Sequence, residues 1–203
     1  MPRKPLPPAE VTVLPATLDR WDDVYRIFES VPCWCQAYRD SAGGYGRVSK
    51  EVLFARALAD RQAAMRRQLA GPIPPGLLAY VEGEVAGWCA TGPRQSFGRL
   101  MRSRTIPHVD DRPVWSIVCF LVRTGFRRRG VGRALLAGAI EAARAHGAPA
   151  LEAYPVDPGG KRISTNFAYV GTVGMFERAG FRPVRETAAK SAGLPRWLMR
   201  LEL

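Results

Sequence analysis

Lysine is nearly missing from this chain: it occurs only at Lys4, Lys50, Lys161 and Lys190, although Lys and Arg together number 30 among 203 residues. Acidic residues number 18, which leaves a formal charge of +12 carried almost entirely by arginine. Apart from Arg66-Arg67, Arg94 to Arg104 and Arg123 to Arg133, the basic residues are spread along the chain rather than gathered into one aromatic-interleaved block. That distribution argues for a compositional arginine bias and against nucleic acid as the main ligand.

Histidine is scarcer still, with His108 and His146 standing alone. The four cysteines, Cys33, Cys35, Cys89 and Cys119, are too few for a disulfide framework in a chain this long. Cys33-Trp34-Cys35 has a one-residue gap and no second cluster to complete a metal clip, so no metal is expected. No apolar run reaches the roughly 18 residues of a membrane span, and Met1-Pro2-Arg3-Lys4-Pro5 lacks the apolar segment of a signal peptide. The expectation is a cytoplasmic protein with no membrane partner: a flexible leader over residues 1–10, then a single domain over 11–203. A homodimer is compatible with this.

Two common phosphate loops are also missing. No Gly-Lys is followed by Ser or Thr, and a G-x-G-x-x-G fingerprint would need glycine where Leu135 stands. What is present is Arg127-Arg128-Arg129-Gly130-Val131-Gly132-Arg133, an R-x-x-G-x-G turn. The run Val114 to Val122 enters it as a strand apolar on both faces. Val131, Leu135, Leu136, Ala139, Ile140 and Ala143 leave it at helical spacing until His146-Gly147. Gly130 and Gly132 let backbone N–H groups approach an anion, and a helix start adds roughly half a positive charge. A pyrophosphate is the natural guest.

Elsewhere, Val11–Leu14 reads as a strand, Thr17 caps a helix running through Phe28 that Pro32 stops, and Ser49 caps a helix over Lys50–Leu69. Leu77–Val81 and Val85–Thr91 form a hairpin around Glu82-Gly83-Glu84. Gly92–Pro113 reads as a long basic loop, either a lid or a surface excursion. Ala150–Val156 is a strand, Tyr169–Ala179 a helix, and Phe181–Val184 and Trp197–Leu203 are closing strands.

In order, strand, R-x-x-G-x-G, helix, second strand and Phe176-Glu177-Arg178-Ala179-Gly180-Phe181 resemble the GNAT superfamily of N-acetyltransferases. The resemblance spans roughly Val11 to Leu203 and is strongest from Trp115 to Phe181. It implies an α/β fold, with a mixed, mostly antiparallel central sheet flanked by helices. It also implies that acetyl-CoA is the cosubstrate, its pyrophosphate held by Arg127, Arg128, Arg129, Gly130, Val131, Gly132 and Arg133. The backbone of Phe120, Leu121 and Val122 would pair with the pantetheine arm and meet the oxyanion. Trp34, Cys35 and Tyr38 fall where this family places its substrate-facing helices, the alternative being helix-sheet packing. At the family's usual proton-donating tyrosine stands Phe176, so either Tyr154, Tyr169 or a cysteine substitutes, or the thiolate leaves without a dedicated acid.

With that guest, an acceptor ammonium of pKa near ~10.4 costs roughly 4 to 5 kcal/mol to neutralise at pH 7. Period-two alternation puts Glu152 and Tyr154 on one face of their strand, a carboxylate and a hydroxyl able to accept that proton directly or through water. Asp157 is a weaker alternative. The reading is an N-acetyltransferase acting on a primary amine, with a small molecule preferred over a peptide or protein. A non-catalytic CoA-binding sensor is the other alternative.

Overall fold

The computed structural model describes residues 10–39, 50–161, 163–164 and 168–203, with backbone alone for 50–56. Residues 1–9 of the leader expected over 1–10, and the Ser49 cap, lie outside the described residues. The strands are β1 (Val11–Pro15), β2 (Gly76–Val81), β3 (Glu84–Pro93), β4 (Trp115–Val122), β5 (Ala150–Ala153), β6 (Arg182–Ser191) and β7 (Leu194–Glu202). The helices are α1 (Trp21–Phe28), α2 (Lys50–Leu69), α3 (Gly98–Met101), α4 (Val131–Ala145) and α5 (Val173–Glu177). All seven strands join one sheet in the order β1-β2-β3-β4-β5-β7-β6. Among these strands only the β4–β5 pairing is parallel, so the sheet is mixed and mostly antiparallel, as the family resemblance implies.

Alternation along the strands sorts the core into two faces. Val24, Ile27 and Phe28 of α1 and Met65 and Leu69 of α2 pack with Leu78, Trp88, Val118 and Leu198 on one face. Leu135, Leu136 and Ala139 of α4 pack with Leu77, Ile117, Leu151, Phe176 and Met199 on the other. Among the described residues, no helix is long and apolar enough to cross a membrane.

Two tight hairpins join β2 to β3 and β6 to β7. Glu82 and Gly83 both have positive φ between Val81 and Glu84, as Ala192 and Gly193 do between Ser191 and Leu194, the geometry of a two-residue turn matched to strand twist. The second hairpin makes β6 longer than the Phe181–Val184 read from the pattern, because its outer half alternates as exposed Arg185, Lys190 and buried Ala189, Ser191 without an apolar run. Three further expectations change. Thr17 does not cap the first helix; its hydroxyl accepts from the Arg20 guanidinium at 2.6 Å, and a short 3₁₀ turn leads into α1. Gly92–Pro113 is not a free loop, since it carries α3 and buries Phe97, Leu100 and Ile106 against the sheet.

The helix expected over Tyr169–Ala179 shrinks to α5. Gly171 sits at φ +76°, and a Cβ there would lie 2.6 Å from the Phe176 ring, so the chain turns at Gly171 and starts helically only after Thr172. We predict that Gly171→Ala destabilises the fold by about 1 to 3 kcal/mol through positive-φ strain and this overlap. Denaturant unfolding checks it; an unchanged midpoint would disprove the constraint.

Candidate active site

β4 and β5 pair for three residues only, Trp115–Ile117 against Leu151–Ala153, and then part. Two local features open them. Pro155 has no N–H with which to continue the ladder, so the strand expected through Val156 ends at Ala153, and Val156 survives as an isolated bridge to Thr172 and Arg196. β4 meanwhile carries an extra residue: Ala90 faces Cys119 and Thr91 faces Ile117, leaving Val118 as a bulge.

The bulge and ladder decide which backbone donors look into the gap. Arg123 N–H donates to Ala86 O of β3 at 2.9 Å, while Phe120 N–H donates the other way, to Tyr169 O at 2.6 Å. Alternation therefore points Leu121 N–H at β3 and Val122 N–H into the gap. Of the three strand residues expected to contact a ligand through N–H groups, Leu121 is turned away, Phe120 is occupied and Val122 remains.

The arginine turn lies at the end of the same strand. Gly130 adopts φ +87°, and Val131 begins α4 with no side-chain cap, leaving the first-turn N–H groups of Val131, Gly132 and Arg133 without intrahelical partners. A Cβ on Gly130 would meet nothing within 4 Å, and one on Gly132 only Met175 Cε at 3.9 Å, so the space over the turn is open. Arg127, Arg128 and Arg133 are exposed around it. Arg129 departs from expectation: its Nη2 is bound to Glu82 Oε1 at 2.6 Å, which turns its guanidinium away from the cradle.

Glu152 and Tyr154 come together as the strand alternation predicts, Tyr154 Oη donating to Glu152 Oε2 at 3.0 Å. Their surroundings do not suit a base. Glu152 is 1% exposed; Arg200 Nη2 and Nε hold its Oε1 at 2.7 and 3.2 Å, and Arg94 Nε lies 3.4 Å from Oε2. Ser116 Oγ reaches Tyr154 Oη at 2.9 Å, and Arg200 Nη1 continues to Asp110 Oδ2 at 2.6 Å. Burial and the adjacent Glu152 charge push the Tyr154 hydroxyl far above its ordinary pKa. Both carboxylate oxygens are occupied, so Glu152 is the hub of a buried ion-pair network under the sheet. The arginines were not singled out from the sequence, although charged Arg196 and Arg200 flank inward-facing Leu198 at period two, a signal of buried charge.

Trp34, Cys35 and Tyr38 also divide. Trp34 is 1% exposed and sits between Trp21 and Phe28, each 5.5 Å away, so it is core. Cys35 is buried too; its Sγ accepts from Trp88 Nε1 at 3.3 Å and from the Cys119 thiol, which keeps its proton because of that bond and its burial. Tyr38 is half-buried at the gap, where it hydrogen-bonds Tyr169 and accepts from Arg196 Nη1 at 2.9 Å. Asp157 Oδ1 accepts from Gly159 N–H at 2.9 Å in its own turn. Among the described residues, no group of three or more His, Cys, Asp or Glu is placed to hold a metal.

Comparison with known proteins adds to this geometry. The model of the acetyltransferase (GNAT) family matches residues 33–181. No curated protein matches the chain in sequence. Among solved structures, a GNAT-family acetyltransferase from Streptococcus pneumoniae is 18% identical with TM-score 0.54, over 96% of this chain and 99% of that one. A GCN5-related N-acetyltransferase from Kribbella flavida is 17% identical with TM-score 0.54, over 95% and 98%. A putative acetyltransferase, yncA, from Salmonella typhimurium, determined with acetyl-CoA, is 17% identical with TM-score 0.50, over 95% and 94%. At such identities the likeness speaks to the fold alone.

The hub assignment predicts that Glu152→Gln lowers stability by about 3 kcal/mol, because buried Arg94 loses its countercharge and Arg200 is left with Asp110 alone. Turnover per folded molecule should keep its pH profile. Unchanged unfolding combined with a rate loss at neutral pH that recovers at alkaline pH would restore Glu152 as the base.

Proposed function

Because the chain belongs to the acetyltransferase (GNAT) family, whose members are acyltransferases that use acetyl-CoA, we propose that it acetylates a primary amine of a small molecule. The observation that carries this reading is the open, uncapped turn at Gly130, placed where β4 parts from β5.

Acetyl-CoA supplies, when bound, a thioester carbonyl for the amine to attack. The N–H groups of Val131, Gly132 and Arg133 present three donors to a pyrophosphate, at the positive end of a 15-residue helix. Arg127, Arg128 and Arg133 add charge around it without being tied into ion pairs with the neighbouring strands, as Arg129 is. Val122 N–H offers a fixed backbone donor along the gap, the kind of preorganised dipole that stabilises developing negative charge.

Proton donation falls to a different residue from the one the family pattern predicts. Phe176 is fully buried, in edge contact with Phe181 at 5.0 Å, and has no proton to give. Tyr154 is spent on Glu152. We assign proton donation to Tyr169, a half-buried residue whose carbonyl holds Phe120 N–H and whose hydroxyl meets the neutral Tyr38 hydroxyl rather than a carboxylate. Burial and the Tyr38 hydroxyl raise its pKa well above the ordinary value near 10, so it keeps its proton throughout the physiological range. A small acceptor is supported because Tyr38, Tyr169 and Arg196 converge on one point rather than being strung along a strand edge.

Three outcomes test the reading. Calorimetry should show acetyl-CoA binding, and thiol release should follow on small primary amines and not on peptides; release on peptides alone would overturn the small acceptor. Gly130→Asp, a residue that tolerates positive φ, should weaken acetyl-CoA binding by about 100-fold or more through charge repulsion and lost space. Affinity within about threefold, less than 1 kcal/mol or so, would remove the cradle assignment. Tyr169→Phe should leave acetyl-CoA affinity unchanged and lower kcat by about 100-fold, with no new alkaline loss of rate between pH 6 and about pH 9 in the parent enzyme. An undiminished kcat would show that Tyr169 is not the acid.

A further inference from the structure

We propose that the acceptor carries a carboxylate and that Arg196 receives it, so that the substrates are amino acids or closely related amino carboxylates. This rests on the reading of the β4–β5 gap as the place of acetyl transfer.

Three arginines are buried beneath this side of the sheet, and two of them are neutralised. Arg94 and Arg200 share the Glu152 carboxylate, and Arg200 adds Asp110. Arg196 has no such partner. It is 4% exposed; its Nε donates to the Tyr154 carbonyl at 2.8 Å and its Nη1 to the Tyr38 hydroxyl at 2.9 Å, both neutral oxygens. Its Nη2, like that of Arg94, is buried and has no hydrogen-bond partner among the described residues. Among the described residues, no carboxylate forms an ion pair with it. A buried guanidinium with an orphan donor and no counter-ion is costly, and such a cost persists where a ligand completes the site.

The position is that of an acceptor-binding group. Arg196, on β7, pairs with Thr187 of β6 and bridges Val156, just past the point where Pro155 ends β5. Tyr154, whose carbonyl it holds, is the last residue before that proline. Through Tyr38 the cluster joins Tyr169, and through the Tyr169 carbonyl it reaches Phe120 on the opposite wall of the gap. Tyr38 and Tyr169 are half-buried, so they are the members through which the guanidinium communicates with solvent.

The chemistry selects the ligand. A planar guanidinium with one free Nη2 and an adjacent Nη1 matches the two oxygens of a carboxylate bidentately. Tyr38, now an acceptor from Nη1, has a hydroxyl proton to donate to the same group. An acceptor bearing only ammonium groups would instead bring positive charge beside an uncompensated cation. The chain's surplus of +12 favours approach of zwitterionic or anionic acceptors over polycations.

The experiment compares matched acceptors in the full chain with acetyl-CoA: the common amino acids and β-alanine, the corresponding carboxamides, and the decarboxylated amines. The parent enzyme should show kcat/KM for its best amino acid at least about tenfold above that for the amide, as expected when a charged hydrogen-bond partner is lost. Arg196→Gln should erase that preference, lowering kcat/KM for the amino acid at least about tenfold more than for the decarboxylated amine, and leave acetyl-CoA affinity intact. Arg196→Lys, which keeps the charge without the fork, should retain part of it. Equal turnover of acid, amide and amine by the parent enzyme would overturn the proposal, as would an equal loss on every acceptor in Arg196→Gln.

A binding arm separates this proposal from the transfer reading. If no amine releases thiol, the transfer reading fails, and calorimetry with N-acetyl amino acids and their amides on CoA-loaded protein decides the role of Arg196. Tighter binding of the acids by about tenfold, lost in Arg196→Gln, sustains it, and equal binding refutes it.

Discussion

The parting of β4 and β5 is the constraint on which the rest of this structure depends. Parallel strands need a crossover, and the crossover here is α4, which packs its apolar stripe on the sheet and returns the chain to β5. The start of that helix must therefore lie at the C-terminal end of β4. In open α/β sheets that end is where ligands bind. Pro155 and the extra residue Val118 then keep the two strands from closing beyond Ile117 and Ala153. One pairing, cut short by two local features, thus sets the helix start, the free N–H of Val122 and the walls of the gap together.

Charge under the sheet follows from the same geometry. The face of β7 that carries Leu198 into the core also carries Arg196 and Arg200 inward, one toward the gap and one toward Glu152. Glu152 meets Arg200 directly across the β5–β7 ladder, a cross-strand opposite-charge pair. Arg94 arrives from the segment after β3 and adds a second cation, while Tyr154 and Ser116 fill the remaining hydrogen-bonding positions. Removing both charges in favour of apolar side chains could be neutral; removing one is what costs. The Gly92–Pro113 segment is thereby fixed from within by an ion pair as well as by Phe97, Leu100 and Ile106.

How much of this could be read in the sequence depends on the distance over which each feature is determined. The turn at Gly130 is local: glycine at positive φ, a helix beginning without a cap and flanking arginines are all encoded within a few residues. The alternation that pairs Glu152 with Tyr154 is local too, and the two do touch. What alternation does not carry is which partners arrive from elsewhere; Arg94 and Arg200 come from segments far away in the chain, and they convert a candidate base into a hub. Trp34 looked equally suited to a pocket wall and to a core, and only its place between Trp21 and Phe28 separates the two. Arg129 was indistinguishable from its neighbours until the β2–β3 turn brought Glu82 to it.

The absence of a tyrosine at position 176 has a structural logic of its own. The Phe176 ring occupies the space that Gly171 leaves by having no side chain, and it packs on Phe181 and near Phe120. The same glycine turn, closed by Gly171 N–H on Ala168 O and tied by Val156 and Gly171 to the end of β5, holds Tyr169 beside Phe120. The turn that accommodates an apolar ring at 176 is thus the one that places a hydroxyl at the gap. The ring at 176 and the placing of Tyr169 are two consequences of one backbone conformation.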